Sequence, residues 1–221
     1  MDFEKFISIV NETFPKIEDS QISQFRDMQA LYEDWNSKIN VISRKDISNL
    51  YDHHILHSLA IAKYLLDKQP DTYKVWSENG VSILDLGCGG GFPGIPLAVL
   101  FPTANFVLCD SVRKKTIVAQ EVASSLKLQN VKIENDRVEN LKTNFDYVVS
   151  RAVATLDTIY PWVKGRFSNS IITLKGGDIN EEIYNFQNKF NIQKNNIHTW
   201  QIDSWLNDEY YAEKFVIEVE R

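Results

Sequence analysis

Residues 83–94 of the chain read Ile-Leu-Asp-Leu-Gly-Cys-Gly-Gly-Gly-Phe-Pro-Gly. The pattern predicts an apolar strand that ends in a carboxylate, then a glycine-rich turn, then an amphipathic helix that begins near Ile95. Glycine lacks a Cβ, so the backbone can turn sharply and a ligand can lie against its N–H groups. The stretch therefore predicts a site for a nucleotide-like cofactor.

Asp85 distinguishes two classes of cofactor, because it lies two residues before the first glycine, Gly87. A carboxylate there can accept hydrogen bonds from a cationic ammonium group or brace the loop, but it gains nothing from a pyrophosphate. It favours S-adenosylmethionine over NAD. Residues 89–94 also satisfy the dinucleotide pattern G-x-G-x-x-G, a weak signal by itself, so a nicotinamide oxidoreductase remains the lower-ranked alternative. A plain turn with Asp85 as a helix cap also stays open.

A second acid, Asp110, ends the apolar run 106–109. It follows Gly87 by 23 residues (110 minus 87), close to the spacing of about 20 between a glycine turn and a ribose-binding acid. Both cofactor classes use such an acid, so Asp110 supports a nucleoside without choosing between them.

Composition narrows the class of protein. The chain has 221 residues, of which 43% are hydrophobic and 24% charged, as in ordinary globular proteins. No apolar run approaches the length of a membrane span, and the acidic start does not resemble a signal peptide. Two cysteines, Cys88 and Cys109, make no disulfide framework. We expect a cytoplasmic protein without a membrane partner.

The net charge of −6 argues against a general nucleic-acid coat protein, but not against an enzyme that meets RNA through one local basic rim. Arg137, Arg151 and Lys175 stand out because they fall at predicted strand ends on the glycine-loop side. The full set of candidate rim residues is Arg44, Lys45, Arg113, Lys114, Lys115, Arg137, Arg151, Lys164, Arg166 and Lys175.

The chain divides into two blocks. Residues 1–70 predict helices that form an N-terminal extension packed on the core, and residues 71–221 predict a Rossmann-like domain of alternating strands and helices. The strands are predicted at 81–86, 105–109, 130–134, 145–150, 170–174, 196–202 and 214–219, and the helices near 94–101, 112–127, 155–165 and 179–188. The last two strands lack a helix between them and predict a hairpin. The fold class is α/β, a seven-stranded mostly parallel sheet with one antiparallel strand.

His53 and His57 are four residues apart and resemble a metal-binding pair on one helix face. No Glu follows the first histidine as in H-E-x-x-H, and no cysteine or distal acid is placed to complete a site. The pattern favours packing or hydrogen bonding at the helix–sheet junction, and we assign no metal.

The chain resembles the glucose-inhibited division protein B family, bacterial class I methyltransferases that act on guanine N7 in small-subunit ribosomal RNA. The matching segments are residues 35–41, His54 to Ser58, Asp85 to Pro96, Asp110-Ser111, Arg113 to Lys115, Asn135 to Glu139, Ser150 to Ala152 and Leu174 to Gly176. One departure is His57, where the family usually has Asp. That difference weakens any role for a carboxylate at this position.

The resemblance implies where S-adenosylmethionine lies. The cofactor would lie against Gly87, Gly89 and Phe92, with its methionyl part near Asp85 and its ribose on Asp110. Val138 and Glu139 would frame the adenine through a backbone N–H and a carbonyl.

The resemblance also implies the chemistry. Arg151 would bind the cofactor and lie beside the incoming base, and it and Arg137 are the candidate catalytic residues. Methyltransferases acting on exocyclic amines often carry Asn/Asp-Pro-Pro-aromatic after the fourth strand, where this chain has Ser150-Arg151-Ala152-Val153. Guanine N7 is an unprotonated acceptor and needs no general base. An arginine would therefore position the base, through O6 or a phosphate.

These implications give the expected partner, 16S ribosomal RNA or the small ribosomal subunit, and a monomeric enzyme. A class I methyltransferase acting on another RNA, a protein or a small molecule is the alternative, since it would share the cofactor site. A binding protein with a degenerate cofactor site ranks lower, because the glycine loop and both acids are intact.

Overall fold

The computed structural model describes residues 1–221. Its centre is one seven-stranded sheet in the order β3-β2-β1-β4-β5-β7-β6. The strands are β1 Ser82–Leu86, β2 Asn105–Cys109, β3 Val131–Glu134, β4 Phe145–Arg151, β5 Phe167–Gly176, β6 Ile197–Gln201 and β7 Lys214–Glu220. Strand β7 is antiparallel to both of its neighbours, and every other pair is parallel. The predicted fold class and the terminal hairpin are confirmed.

Strand β5 is longer than the predicted 170–174, because it runs beside β4 on one edge and β7 on the other, so its flanking residues are also hydrogen-bonded. The helices are α1 Phe3–Thr13, α2 Asp19–Lys38, α3 His57–Lys68, α4 Pro70–Glu78, α5 Gly94–Leu100, α6 Arg113–Ser125, α7 Leu156–Val163 and α8 Asn180–Phe190. A π-helical turn, Leu50–Leu56, leads into α3, and short 3₁₀ turns cover Ile47–Asn49, Val138–Asn140, Lys194–Asn196, Ile202–Ser204 and Glu209–Tyr211.

The sequence pattern does not predict α4. Pro70 predicts the end of α3, and it also begins α4, because proline is tolerated at the first helical position, where its missing N–H would have no partner. Helix α4 brings Trp76 into the core, where its side chain is fully buried.

Alternate side chains of β1 point to opposite faces of the sheet and enter two different cores. Ile83 packs in the larger core together with Phe6, Phe25 and Leu59 of the N-terminal helices. Leu84 packs in the smaller core under α7 and α8. The N-terminal helices therefore share a core with one face of the sheet. The division at residue 70 stays a prediction.

Four parallel strands, β1 to β4, end at the same edge of the sheet. Asp85, Asp110 and Arg151 lie at or next to those ends, so the topology gathers at one edge residues that are distant in the chain. No helix is long and apolar enough to cross a membrane.

Candidate cofactor and substrate site

The glycine-rich turn is tied to the end of β2 by backbone hydrogen bonds. The N–H groups of Gly87 and Cys88 both donate to the carbonyl of Cys109, at 2.8 and 3.1 Å. Gly87 has φ +69°, and a Cβ added there would lie 2.5 Å from Cγ2 of Val153. At Gly91, with φ +110°, the added Cβ would lie 2.4 Å from Cδ1 of Ile95. Only glycine fits these two positions without strain or displacement.

Asp85 is fully buried beneath this turn. Its Oδ2 accepts a hydrogen bond of 2.8 Å from the N–H of Gly94, the first residue of α5, while its Oδ1 has no partner in the protein. Burial raises the pKa of Asp85 to about 7, against the lowering effects of the Gly94 N–H and the Arg151 guanidinium. Asp85 thus braces the loop, and one oxygen remains available to a ligand.

The raised pKa of Asp85 predicts that the affinity for the cofactor depends on pH. Because its folded pKa, about 7, exceeds the unfolded value, its contribution to stability is present at low pH and lost as the pH rises through 7. A bound ammonium group would favour the ionised form, so binding would release a proton below pH 7. We expect S-adenosylhomocysteine affinity to rise about tenfold between pH 6 and pH 8, measured by calorimetry. Asp85→Asn, which keeps an acceptor for Gly94, should flatten that slope.

A flat profile in the parent protein would show that the ammonium group binds away from Asp85.

The first of two clefts lies beside the turn and has a volume of about 320 Å³, at the lower end of the range of small-molecule sites, about 300–1,000 Å³. We call it the glycine-loop cleft. It is lined by Leu86, Gly87, Cys109, Asp110, Ser111, Lys115, Asp136, Arg137, Val138, Glu139, Ala152, Val153 and Trp162. It brings together the residues predicted for the ribose and the adenine, whereas four other residues predicted to bind the cofactor, Asp85, Gly89, Phe92 and Arg151, lie outside its lining.

Asp110 already has backbone partners in this cleft. Its Oδ2 accepts from the N–H of Gly89 at 2.9 Å, and its Oδ1 accepts from the N–H of Val112 at 2.8 Å. Each carboxylate oxygen can accept a further hydrogen bond. Contact with a ribose is therefore compatible with the loop contacts, and it stays a prediction.

Replacement of Asp110 by alanine is expected to weaken S-adenosylhomocysteine binding by about 1.5–3 kcal/mol, the range for hydrogen bonds to a charged acceptor. Because the N–H groups of Gly89 and Val112 would no longer have their acceptor, the melting temperature should also fall. Asp110→Asn keeps one acceptor and most of the shape, so it should recover part of the stability. If both variants bind S-adenosylhomocysteine as tightly as the parent, Asp110 only caps the backbone N–H groups of Gly89 and Val112 and does not contact the ribose.

Arg166 holds the segment of the glycine-loop cleft that contains Val138 and Glu139, the residues predicted to frame the adenine. Its guanidinium donates to the carbonyls of Val138 at 2.9 Å and Glu139 at 2.6 Å, and also to that of Leu141. Arg166 is half-buried and uses three of its donors on backbone carbonyls, and its assignment to the RNA-contacting rim stays a prediction. The Val138 carbonyl also accepts from the N–H of Leu141 at 3.1 Å, so both of its lone pairs are used, whereas the Glu139 carbonyl keeps one lone pair for a ligand.

Phe92 lies under Arg151. Its ring is 5% exposed, with ring centroids 4.7 Å from Tyr32 and 5.3 Å from His54, and the guanidinium carbon of Arg151 lies 5.0 Å from its centroid. The ring of Phe92 therefore makes a cation–π contact with the guanidinium of Arg151. The predicted contact of Phe92 with the cofactor stays a prediction.

The second cleft, which we call the arginine cleft, has a volume of about 610 Å³ and adjoins the first at Ala152 and Val153. Its lining comprises His54, His57, Arg151, Ala152, Val153, Ala154, Thr155, Leu174, Lys175, Gly176, Glu182, Tyr210 and Lys214. The structure therefore separates the two predicted catalytic arginines, since Arg137 lines only the glycine-loop cleft and Arg151 only the arginine cleft. The sequence alone does not predict this separation.

Lys175, predicted as a rim cation, is also engaged inside the protein. Its side chain is 11% exposed, and its Nζ pairs with Oε1 of Glu182 at 2.8 Å and donates to the carbonyl of Ala154. Its charge is therefore already paired within the protein, and its assignment to an RNA-contacting rim stays a prediction. Exposed basic side chains remain at Arg44, Lys45, Arg113, Lys114, Lys115, Arg137 and Lys164.

Sequence reasoning missed a polar chain behind Arg151. Asp46 bonds to His53 Nδ1 at 2.6 Å and to His54 Nε2 at 2.8 Å, and Arg151 reaches His54 Nδ1 at 3.1 Å. His53 stacks on Tyr210 with centroids 3.6 Å apart. The only signal in the sequence was the histidine-rich segment 53–57, whose partners come from distant parts of the chain.

His57 contributes packing and has no polar partner. Both of its ring nitrogens are buried without a hydrogen bond, and its ring meets Tyr210 and Tyr211 edge to face. Burial holds the pKa of His57 well below its usual value, so the ring is neutral. His53 and His57 converge on Tyr210, and no group of three or more metal-ligating side chains is present.

The residues present fit S-adenosylmethionine. The turn is a cradle that a Cβ at Gly87 would obstruct, Asp85 offers an unpaired buried oxygen, and the adjoining cleft carries Asp110. The fold and this site define a class I, S-adenosylmethionine-dependent methyltransferase.

Comparison with known proteins defines the family. The model of the family described as rRNA small subunit methyltransferase G matches residues 21–204. A curated relative, the ribosomal RNA small subunit methyltransferase G of Flavobacterium psychrophilum, is 44% identical over 214 residues, 93% of this chain and 94% of that protein. The same-named protein of Bacteroides fragilis is 42% identical over 98% of this chain and 92% of its own length. The chain belongs to the rRNA small subunit methyltransferase G family.

Solved structures agree on the fold. Magnesium protoporphyrin IX methyltransferase from Synechocystis, with bound S-adenosylmethionine, superposes with a TM-score of 0.59 at 14% identity, over 95% of this chain and all of the other. A Thermus thermophilus 16S rRNA N2 G1207 methyltransferase gives a TM-score of 0.51 at 16% identity, covering 72% of this chain and 42% of that one. The predicted family, methyltransferase class and S-adenosylmethionine cofactor are confirmed.

Proposed function

We propose that this protein transfers the methyl group of S-adenosylmethionine to N7 of a guanine in 16S ribosomal RNA of the small subunit. Family membership and the name shared by its relatives support the ribosomal RNA substrate. The observation that supports N7 is the lining of the arginine cleft, which presents a cation but no strong, accessible proton acceptor.

The acidic and histidine side chains of that lining are either engaged or weak proton acceptors. The ring nitrogens of His57 are fully buried, and burial holds the pKa of His57 well below its usual value. Glu182 pairs with Lys175 and accepts the N–H of Leu156 at 2.6 Å. Burial and the nearby Arg151 lower the pKa of His54 to about 4, and the lone pair on its Nδ1 already accepts from that arginine. An exocyclic amine would need a proton acceptor, whereas N7 carries an in-plane lone pair and needs none.

Arg151 is the residue we expect to position the base. The bound cofactor supplies a methyl group on a positively charged sulfonium. The methylated ring becomes cationic, so a guanidinium is best placed at O6 or at a phosphate, away from N7. Alignment of this kind can contribute about 7–11 kcal/mol to lowering the barrier. Arg137, at the glycine-loop cleft, is better placed for a flanking phosphate than for the base.

The test is to map N7-methylguanosine in ribosomal RNA from cells with and without the protein, and to repeat the reaction with purified protein on free 16S RNA and on small subunits. Loss of one N7-methylguanosine on deletion, restored by the purified protein, is the expected result. Methylation of another RNA, a protein or a small molecule would support the alternative. Calorimetry with NADH beside S-adenosylhomocysteine checks the cofactor.

Three further expectations belong to this proposal. The enzyme acts in the cytoplasm, where ribosomal RNA is made and assembled, and it acts as a monomer. Residues 1–70 form a helical extension that stays packed on the methyltransferase domain of residues 71–221, as the shared core supports.

A further inference from the structure

The guanidinium of Arg151 is held without a carboxylate partner. Its Nη1 donates to the carbonyl of His53 at 3.3 Å and its Nη2 to Nδ1 of His54 at 3.1 Å. No acidic side chain forms an ion pair with it, and its other N–H groups have no acceptor in the protein. A guanidinium carries five donors, so most of those of Arg151, which lines the arginine cleft, stay unpaired.

The contact with His54 determines the tautomer of that ring. Arginine only donates, so Nδ1 of His54 must carry the lone pair and Nε2 the hydrogen. Nε2 then donates to Oδ2 of Asp46, 2.8 Å away. A directed chain results, in which Asp46 orients His54 and His54 orients Arg151. Burial and Arg151 lower the pKa of His54 to about 4, which keeps the ring neutral near pH 7.

The three members come from different parts of the fold. Asp46 precedes the π-helical turn Leu50–Leu56, His54 lies within it, and Arg151 ends β4. A π-helical turn is a local irregularity often found at functional sites. Here it presents both the His53 carbonyl and the His54 ring to the same guanidinium.

We propose that Asp46 and His54 are positioning residues, which hold the guanidinium of Arg151 in the arginine cleft for the substrate. The N-terminal helical block thereby supplies part of the active site as well as part of the core. This inference rests on the proposed function, since it assigns Arg151 to the alignment of the target base.

Two substitutions of His54 separate its two contacts. In His54→Asn the side-chain oxygen can take the place of Nδ1 and accept from Arg151. In His54→Gln the amide reaches the place of Nε2 and Asp46, but leaves Arg151 without its acceptor. His198, a partly exposed histidine of β6 that pairs with Glu220 at 3.1 Å, is the matched control as His198→Gln.

We expect His54→Gln to lower single-turnover methyl transfer at saturating RNA by about 100-fold, the order of a 1 Å misplacement of a catalytic group. S-adenosylhomocysteine affinity should be unchanged, and His54→Asn should stay within severalfold of the parent. His54→Gln should have no further effect in an Arg151→Ala background, because a residue that acts through Arg151 loses its influence once Arg151 is gone. His198→Gln should match the parent.

A parent-like rate in His54→Gln, or an undiminished further fall in rate in the Arg151→Ala background, would overturn the inference. If the variants do not fold, nitrogen NMR of the parent decides, since the inference requires His54 to carry its hydrogen on Nε2 and would be overturned by the opposite tautomer. A parent protein that makes no N7-methylguanosine would instead reject the proposed function, while the tautomer measurement would still stand.

Discussion

Arg151→Ala is expected to lower single-turnover methylation of ribosomal RNA by about 100-fold at saturating RNA, because the base would no longer be held in line with the methyl group. Cofactor affinity should change little, since Arg151 lines the arginine cleft and not the glycine-loop cleft. Arg151→Lys keeps the charge but not the planar fork, so it should restore only part of the rate. The measurement is rapid mixing of enzyme, cofactor and RNA.

Two exposed basic residues at the start of α6 provide the variant to compare with Arg151→Ala, because we expect them to bind RNA without aligning the base. Neutralising Arg113 and Lys114 should weaken RNA binding and reduce the log–log salt slope by about 0.7–0.9 for each phosphate that the protein no longer neutralises, with the rate at saturating RNA preserved. Lys115 is left in place because it lines the glycine-loop cleft. Neutralising Lys68 and Lys74, on α3 and α4, controls for net charge.

A slower rate in the Arg113 and Lys114 variant with unchanged RNA affinity and salt slope would place the RNA surface elsewhere. If more RNA restores the rate of Arg151→Ala, Arg151 is a binding residue only.

Gly87→Val is expected to abolish detectable S-adenosylhomocysteine binding. A valine would be strained at φ +69°, and its side chain would crowd Val153, which lines the glycine-loop cleft together with Gly87. The substitution would also cause a steric clash within the protein, because the new Cβ would lie 2.5 Å from Cγ2 of Val153. The substitution should therefore also lower the melting temperature, measured beside the calorimetric affinity.

Two further variants separate these effects. Gly165→Val carries the same kind of strain, at φ +81°, with nothing within 4 Å of the new Cβ, so it should lose stability but keep cofactor affinity. Gly87→Ala combined with Val153→Ala removes most of the clash, so it should fold and still bind the cofactor weakly. Parent-like affinity in that folded double variant would mean that the cofactor does not lie against Gly87.

The sequence was sufficient for the architecture and for the identity of the cofactor, S-adenosylmethionine, while the residues that would hold it stay predictions. The alternation of strands and helices, the glycine turn and the acids Asp85 and Asp110 are local patterns, and local patterns are set by backbone freedom and hydrophobic period. Parallel strands then bring their carboxyl ends to one edge, so the cofactor site follows from topology.

Only the tertiary structure decided which polar groups are free. Lys175 and Arg166 look like free surface cations in the sequence, but in the folded chain Lys175 is paired with Glu182 and Arg166 donates to backbone carbonyls. Asp46, His54 and Arg151 meet across about 100 residues of chain (151 minus 46 gives 105). A hydrogen bond requires two atoms about 3 Å apart, and for residues distant in sequence only the folded chain determines that distance. Helices and strands, in contrast, are predicted from the hydrophobic periodicity of residues that are neighbours in the sequence.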